Sequence, residues 1–244
     1  MSDLWVTTLG ELPYRDGVAL QERLRDARQA DAIPDCLLLL EHPPVYTRGR
    51  RAQPTDLPRG ERWYREQGID VQDSDRGGQV TYHGPGQLVG YPIMRVESVR
   101  EYVETMERAM IAALRDEGIR ASVPDGLTGV WAGTAKIGSI GIHVSRGVTT
   151  HGFAVNVDND LTPFEWVATC GVDGAQMTSV TREREAAGQG PASTSCFRKR
   201  IAFRFAETFG LRQRIVTPGR LIAAAGAAAA QRPSPTSALV HSAA

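Results

Sequence analysis

The sequence predicts an α+β domain in which a mixed β-sheet is flanked by helices. Three observations predict it: short aliphatic and β-branched runs recur along the chain, helical patterns interrupt them, and the two do not alternate strictly. Leu4 to Leu9 reads as a first strand. Tyr14 to Ala30 follows as an amphipathic helix, with Val18, Leu24 and Ala27 near helical spacing. Cys36 to Leu40, an apolar run between Pro34 and Pro43, reads as a buried strand. Pro43, Pro44, Gly49, Pro54 and Pro58 mark Glu41 to Gly60 as a long loop, which carries the basic run Arg48, Arg50 and Arg51. A short helix is expected over Glu61 to Gln67. Val80 to Tyr82 and Leu88 to Met94 read as strands on either side of His83-Gly84-Pro85-Gly86. Ser98 to Glu117 is the clearest helix. Val99, Tyr102, Val103, Met106, Met110, Ala113 and Leu114 form its apolar stripe, Ser98 can cap it and Gly118 ends it. Val130-Trp131, Lys136 to Val144 and Gly152 to Val157 read as antiparallel strands with a turn at Ser145-Arg146-Gly147, and Ser195 to Phe209 as a last helix. This places one domain over residues 1–216. Residues 217–244, rich in alanine, proline and serine, are expected to be a largely disordered tail.

Composition narrows the function classes. The chain has 244 residues, enough for one large core, and its 28 basic residues balance its 28 acidic ones. Zero net charge gives no electrostatic argument for nucleic acid or a membrane surface. No apolar run is long enough to cross a bilayer and no signal peptide is evident. The three cysteines, Cys36, Cys170 and Cys196, are widely spaced and fit neither a disulfide framework nor a zinc site. A cytoplasmic location and no bound metal are therefore expected; a monomer is expected as well, although nothing in the sequence gives the oligomeric state. Only two basic residues are lysines, Lys136 and Lys199; the rest are arginines. A genome-wide preference for arginine explains that bias, but arginine cannot shed its proton at usable pH, whereas lysine can when buried. Lys199 lies between Arg198 and Arg200 in a helical pattern. Lys136 lies in a weakly charged, glycine-rich segment and invites a chemical reading.

Three segments carry candidate chemistry. The first is Arg76-Gly77-Gly78-Gln79-Val80-Thr81-Tyr82-His83-Gly84-Pro85-Gly86-Gln87. Its glycines allow backbone to approach a ligand and free N–H groups for an anionic or carbonyl group. By spacing alone it is equally a tight hairpin around a packed tyrosine. It is neither a phosphate-binding loop nor a dinucleotide fingerprint. The second is Gly133-Thr134-Ala135-Lys136-Ile137-Gly138-Ser139-Ile140-Gly141-Ile142. Small residues around the lysine leave a groove, and apolar neighbours favour a neutral amine able to act as a base. A lysine snorkelling from a strand edge is the bland alternative. The third is Pro163-Phe164-Glu165-Trp166-Val167-Ala168-Thr169-Cys170-Gly171-Val172. A cysteine before a glycine has an accessible sulfur and a backbone N–H at hand, although free cysteine is often a small buried hydrophobe. Cys36, inside an apolar run, reads as core. Together the segments supply a nucleophile, a titratable base and a glycine-lined pocket.

At these places the sequence resembles the lipoyl(octanoyl) transferases. The matching stretches are Arg76 to Gln87, Lys136-Ile137-Gly138-Ser139-Ile140-Gly141-Ile142, His151-Gly152-Phe153-Ala154-Val155-Asn156, Thr169-Cys170-Gly171 and Glu41-His42-Pro43-Pro44-Val45-Tyr46-Thr47. The likeness runs from about residue 4 to 215. Its one small departure, Gly138-Ser139 in place of alanine-like residues, keeps side-chain size. The resemblance implies a fold similar to the catalytic domains of biotin and lipoate protein ligases. It implies transfer of octanoyl from acyl carrier protein to a lysine on lipoyl domains of 2-oxoacid dehydrogenase complexes and of the glycine cleavage H protein. It implies Cys170 as the acyl-bearing nucleophile and Lys136 as the residue that favours its thiolate. Arg76 to His83, Ser139 to Gly141, and Gly152, Phe153 and Ala154 would line the acyl site. Neither ATP nor another cofactor is implied, because exchange between thioesters is nearly isoenergetic. Arg48, Arg50 and Arg51 are candidate docking residues for an acidic carrier, or simply a solvated face. An ATP-dependent ligase on the same fold and a non-catalytic acyl-binding module are the rival readings.

Overall fold

A computed structural model describes residues 1–167 and 176–230. In order, the elements are β1 (Asp3–Glu11), α1 (Tyr14–Gln29), β2 (Asp35–Glu41), β3 (Val45–Arg48), α2 (Glu61–Glu66), β4 (Asp70–Asp73), β5 (Val80–His83), β6 (Gln87–Ile93) and α3 (Val99–Arg115). There follow β7 (Ala121–Ser122), β8 (Val130–Ala132), β9 (Ala135–Ser145), β10 (Val148–Asn156), α4 (Val180–Ala186), α5 (Thr194–Thr208), β11 (Arg212–Ile215) and α6 (Pro218–Ala230). Eight strands form a mixed sheet in the order β11-β1-β2-β6-β10-β9-β8-β7, parallel at β11-β1-β2 and antiparallel from β2 onward. The predicted α+β class with a helix-flanked mixed sheet is the observed one.

The strand period of two explains why β2 is apolar throughout. Leu37 and Leu39 point into a core shared with α3 and α5, which includes Met106, Met110, Phe153, Phe197 and Phe205. Cys36, Leu38 and Leu40 point into the opposite core, with Leu20 and Leu24 of α1 and Leu221 of α6. The sheet is thus covered on both faces. α3 begins as its sequence predicts: the Ser98 side chain accepts the Glu101 N–H, and the stripe residues Tyr102, Met106, Met110, Ala113 and Leu114 are buried.

Two expectations are corrected. Residues 41–60 are not one long loop. β3 lies within them, pairing in parallel with β4 and antiparallel with β5 in a small second sheet. Its four residues are too few for a visible period, and proline and glycine close in on both sides. The tail expected to begin at residue 217 instead starts as α6. Thr217 Oγ1 accepts the Arg220 N–H, and Leu221 and Ala225, one helical turn apart, are buried beside Leu24 and Val216. Alanine is the strongest helix former, and that preference together with burial outweighs the low-complexity composition. Residues 231–244 lie outside the described residues. Also unforeseen are the short strands β4, β7 and β11, each held by pairing with another segment, and the short helix α4, capped by Ser179.

Candidate active site

β5, β9 and β10, with the loops before β5 and β8, enclose a cavity of about 480 Å³, a volume suited to a small-molecule ligand. Of the residues expected at the acyl site, Arg76, Gly78, Gln79, Val80, Thr81, His83, Ser139, Ile140, Gly141, Gly152, Phe153 and Ala154 line it, and so does Lys136. Gly77 and Tyr82 do not. Gly77 ties its loop to β9 by donating its N–H to the Ile142 carbonyl at 2.9 Å. Tyr82 packs between Tyr46 and Phe164 in the core under the small sheet, and that burial pushes its hydroxyl up to about 12. Cys170 and its neighbours Thr169 and Gly171 lie outside the described residues.

The glycine-rich loop owes its shape to Arg76. This side chain is buried, and its guanidinium donates to Thr47 Oγ1 and the carbonyls of Thr47, Gly77 and Gln79 at distances of 2.6 to 3.1 Å. One cation therefore fastens the loop to β3. A second glycine device lies where β6 and β10 pair, with Phe153 opposite Gly90. A Cβ on Gly90 would stand 2.2 Å from the Phe153 ring, and one on Gly152 would stand 2.3 Å from the Gly90 carbonyl. The two bare positions let Phe153 lie across β6 against the core and leave the Gly152 side of the cavity open.

Lys136 is 6% exposed. Its backbone is pinned on both sides, its N–H donating to the Gln176 carbonyl at 2.8 Å and its carbonyl accepting from Thr178 N–H at 2.9 Å. Its ammonium stands 5.7 Å from the Trp131 ring centroid and has no hydrogen bond or ion pair among the described residues. A lysine at the wall of a cavity is placed to pass a proton to or from a group held there.

Several lining residues were not anticipated: Tyr14, Tyr91, Arg51, Trp131, His151 and residues 126–128. Two histidines at this wall, His42 and His83, are neutral and fixed. The Leu12 carbonyl can only accept, so His42 carries its proton on Nδ1, and its Nε2 accepts from the Tyr91 hydroxyl at 2.7 Å. Gln87 donates its amide to the Tyr82 carbonyl and to Asn156, so its oxygen accepts the His83 Nδ1–H at 2.7 Å. Burial drives His42 down to about 4 and His83 down to about 3. His151 adopts a left-handed backbone with φ 57°, which is uncommon for a residue with a side chain. Gln21 Oε1 accepts its N–H and Asp75 meets its Nε2, both at 2.6 Å, and the hydrogen bond from His151 holds the Asp75 carboxyl down at about 2. The bracing residues come from α1, from β6 and from the segments before α1 and β5, and only the fold brings them together.

The other two cysteines differ from a catalytic thiol. Cys36 is fully buried, and desolvation pushes its thiol up to about 12. Cys196 is exposed on α5 and does not line the cavity. Arg48, a candidate docking residue, is taken up by ion pairs with Glu61 and Asp73. Arg50 and Arg51 are exposed, and Arg51 borders the cavity.

Known proteins are similar to this chain in sequence and in fold. An octanoyltransferase of Thermobifida fusca is 43% identical over 196 residues, covering 75% of this chain and 81% of the relative. The mitochondrial octanoyltransferase LIP2 of Arabidopsis thaliana is 41% identical over 187 residues, covering 75% and 80%. Among solved structures, lipoate-protein ligase A bound with ATP superposes with a TM-score of 0.67 at 17% identity, covering 95% of each chain. The biotin protein ligase of Aquifex aeolicus gives 0.52 at 14% identity, covering 86% of this chain and 71% of that one. These two show the common fold. The family model of the lipoyl protein ligase A/B catalytic domain matches residues 13–205, and with relatives this similar over three quarters of its length the chain belongs to that family.

Proposed function

We infer that this chain is an octanoyltransferase that moves an octanoyl group from acyl carrier protein to a lysine of lipoyl domains through a thioester on Cys170. The observation that carries the reading is a buried lysine, without a hydrogen bond or ion pair to its Nζ among the described residues, at the wall of a ligand-sized cavity in a chain 41–44% identical to octanoyltransferases. Cys170 is the thiol left for the nucleophile, because Cys36 is sealed and held protonated and Cys196 stands away from the cavity.

In the first half-reaction the Cys170 sulfur gives its proton to Lys136 and attacks the thioester carbonyl. A sulfur–carbon bond forms to Cys170, the bond to the phosphopantetheine sulfur breaks, and the Lys136 proton goes to that departing thiolate. In the second half-reaction the acceptor lysine attacks as a neutral amine. Its nitrogen–carbon bond forms, the Cys170 sulfur leaves, and Lys136 relays the amine proton to that sulfur. No phosphoanhydride is consumed, so neither ATP nor a metal has a part. His83, Tyr14 and Tyr91 spend their polar atoms on Gln87, Ser74 and His42, so they offer the acyl chain ring surface rather than charge. Arg50 and Arg51 are suited to an acidic carrier, and Arg48 is not. A reducing cytoplasm keeps the thiol available.

Intact mass after incubation with octanoyl-acyl carrier protein tests the reading. The expected result is one octanoyl adduct on wild-type protein and none on Cys170→Ala. An adduct that forms only from free octanoate with ATP would establish a ligase instead. An unmodified protein that still binds the acyl chain would establish a non-catalytic module.

A further inference from the structure

Glu107 is a carboxylate on the buried side of α3, next to Met106 and one turn before Met110 and Ile111. It is 6% exposed, a setting in which an ionised group is costly unless something answers it. Two groups do. The Gly129 N–H donates to Glu107 Oε1 at 2.8 Å. Beyond that peptide lies Lys136. Gly129 has a φ of +104°, and a Cβ there would stand 2.9 Å from Lys136 Cε, 3.4 Å from its Nζ and 2.6 Å from the Gly138 carbonyl. Only glycine can occupy this position. A single bare residue therefore touches the carboxylate with its N–H and the lysine with its Cα face. The three residues before it, Gly126, Leu127 and Thr128, line the cavity.

The charged groups acting on Glu107 are Glu104 of its own helix, which opposes ionisation, and Lys136 of β9, which favours it. Burial is the largest influence and holds the carboxyl above its usual range, and the Gly129 hydrogen bond draws it back. We propose that Glu107 is a positioning residue for the transfer reaction: across Gly129 it supplies the negative charge that faces the Lys136 ammonium, and through Gly129 it fixes the cavity wall formed by residues 126–128. Its meaning for turnover rests on the role proposed above for Lys136. Its coupling to Lys136 does not.

Two measurements separate these points. The Gly129 amide resonance reports Glu107 protonation, because that N–H donates to the carboxylate. Lys136→Met removes the cation and should move the titration midpoint of the Gly129 amide upward. An unmoved midpoint overturns the coupling, whether or not Lys136 proves catalytic. Glu107→Gln keeps an oxygen for the Gly129 N–H and removes only the charge. Its kcat should fall roughly tenfold, about 1.4 kcal/mol of transition-state stabilisation. KM should stay within about twofold and the acid limb of the kcat/KM profile should move. Glu107→Ala loses the anchor as well and should raise KM. A Glu107→Gln enzyme with wild-type kcat and an unchanged pH profile would show that Glu107 only anchors the wall, and the inference would fall.

Discussion

Acidification should unfold this protein through two particular histidines. His42 and His83 are neutral in the native state, braced by Leu12 and Tyr91 in one case and by Gln87 in the other. In the unfolded chain each titrates near 6.5, whereas burial holds them at about 4 and about 3. Below pH 6.5 the unfolded state binds protons that the native state refuses, so stability present above 6.5 is lost as the pH falls. At about 1.4 kcal/mol per pH unit, the fall from 6.5 to 4 is worth about 3 kcal/mol for His42. The longer fall to 3 is worth about 5 kcal/mol for His83. Together these rival the whole stability of an ordinary domain, about 5–15 kcal/mol. Burial lowers His143 as well and adds in the same direction, while Glu107, held high, opposes. Urea unfolding at half-unit steps from pH 8 to 4.5 measures the effect. Between pH 6 and 5 the slope should approach two protons per molecule, about 3 kcal/mol per pH unit. His42→Gln and His83→Gln should each remove close to one proton from that slope, whatever they do to stability at pH 8. A wild-type slope below half a proton, or variants with undiminished slopes, would refute the assignment of neutral buried imidazoles.

Lys136→Arg should be nearly as damaging as Lys136→Ala, losing roughly 10²–10⁴-fold in turnover, because arginine keeps the charge but cannot carry the proton; near-wild-type turnover would show that the lysine acts by charge alone. Cys170→Ala should abolish transfer, whereas Cys196→Ala should leave both activity and melting temperature unchanged. Cys36→Ala should keep the chemistry but lose about 1 kcal/mol of stability to the core void it opens, read by denaturant unfolding. Ala154→Leu should fill the cavity and block acyl binding in a fully folded protein, and normal acylation would remove Ala154 from the acyl site. Gly141→Leu is a blunter probe, since its first added carbon would already stand 3.0 Å from the Gly77 carbonyl and 3.1 Å from Arg76 Cδ.

The fold was legible in the sequence wherever a segment is long or strongly periodic. The stripe on α3, the apolar run of β2 and the glycine-spaced strands β9 and β10 each state their own structure. What was not legible depends on partners distant in the chain. β3 is four residues long and is a strand only because β4 and β5 close on it. α6 reads as low-complexity sequence until Leu221 and Ala225 meet α1. The site divides in the same way. Residues expected from motifs, such as Gly78, Thr81, Gly141 and Ala154, do meet around one cavity. The wall that braces them does not announce itself, because Tyr14 opens a helix, Tyr91 sits in an apolar strand and Gln21 faces a histidine 130 residues away.

Arg76 and Glu107 show why motif reading stops short of mechanism. A buried arginine in a glycine-rich segment reads as a ligand-binding cation, yet its donors go to Thr47 and to the carbonyls of its own loop. Those carbonyls turn inward to the guanidinium, which is what gives the loop a fixed shape without a packed core of its own. Lysine would be a poor substitute, since a single ammonium cannot span the same fork of acceptors. Glu107 is the converse case. Helical periodicity gives it no reason to be buried, and only Gly129, 22 residues further on, makes its burial intelligible. In both, a charge in the interior holds a glycine backbone in place, and the glycine in turn shapes the cavity wall. The motif glycines supply the close approach, and a buried charge on a neighbouring element makes that approach rigid.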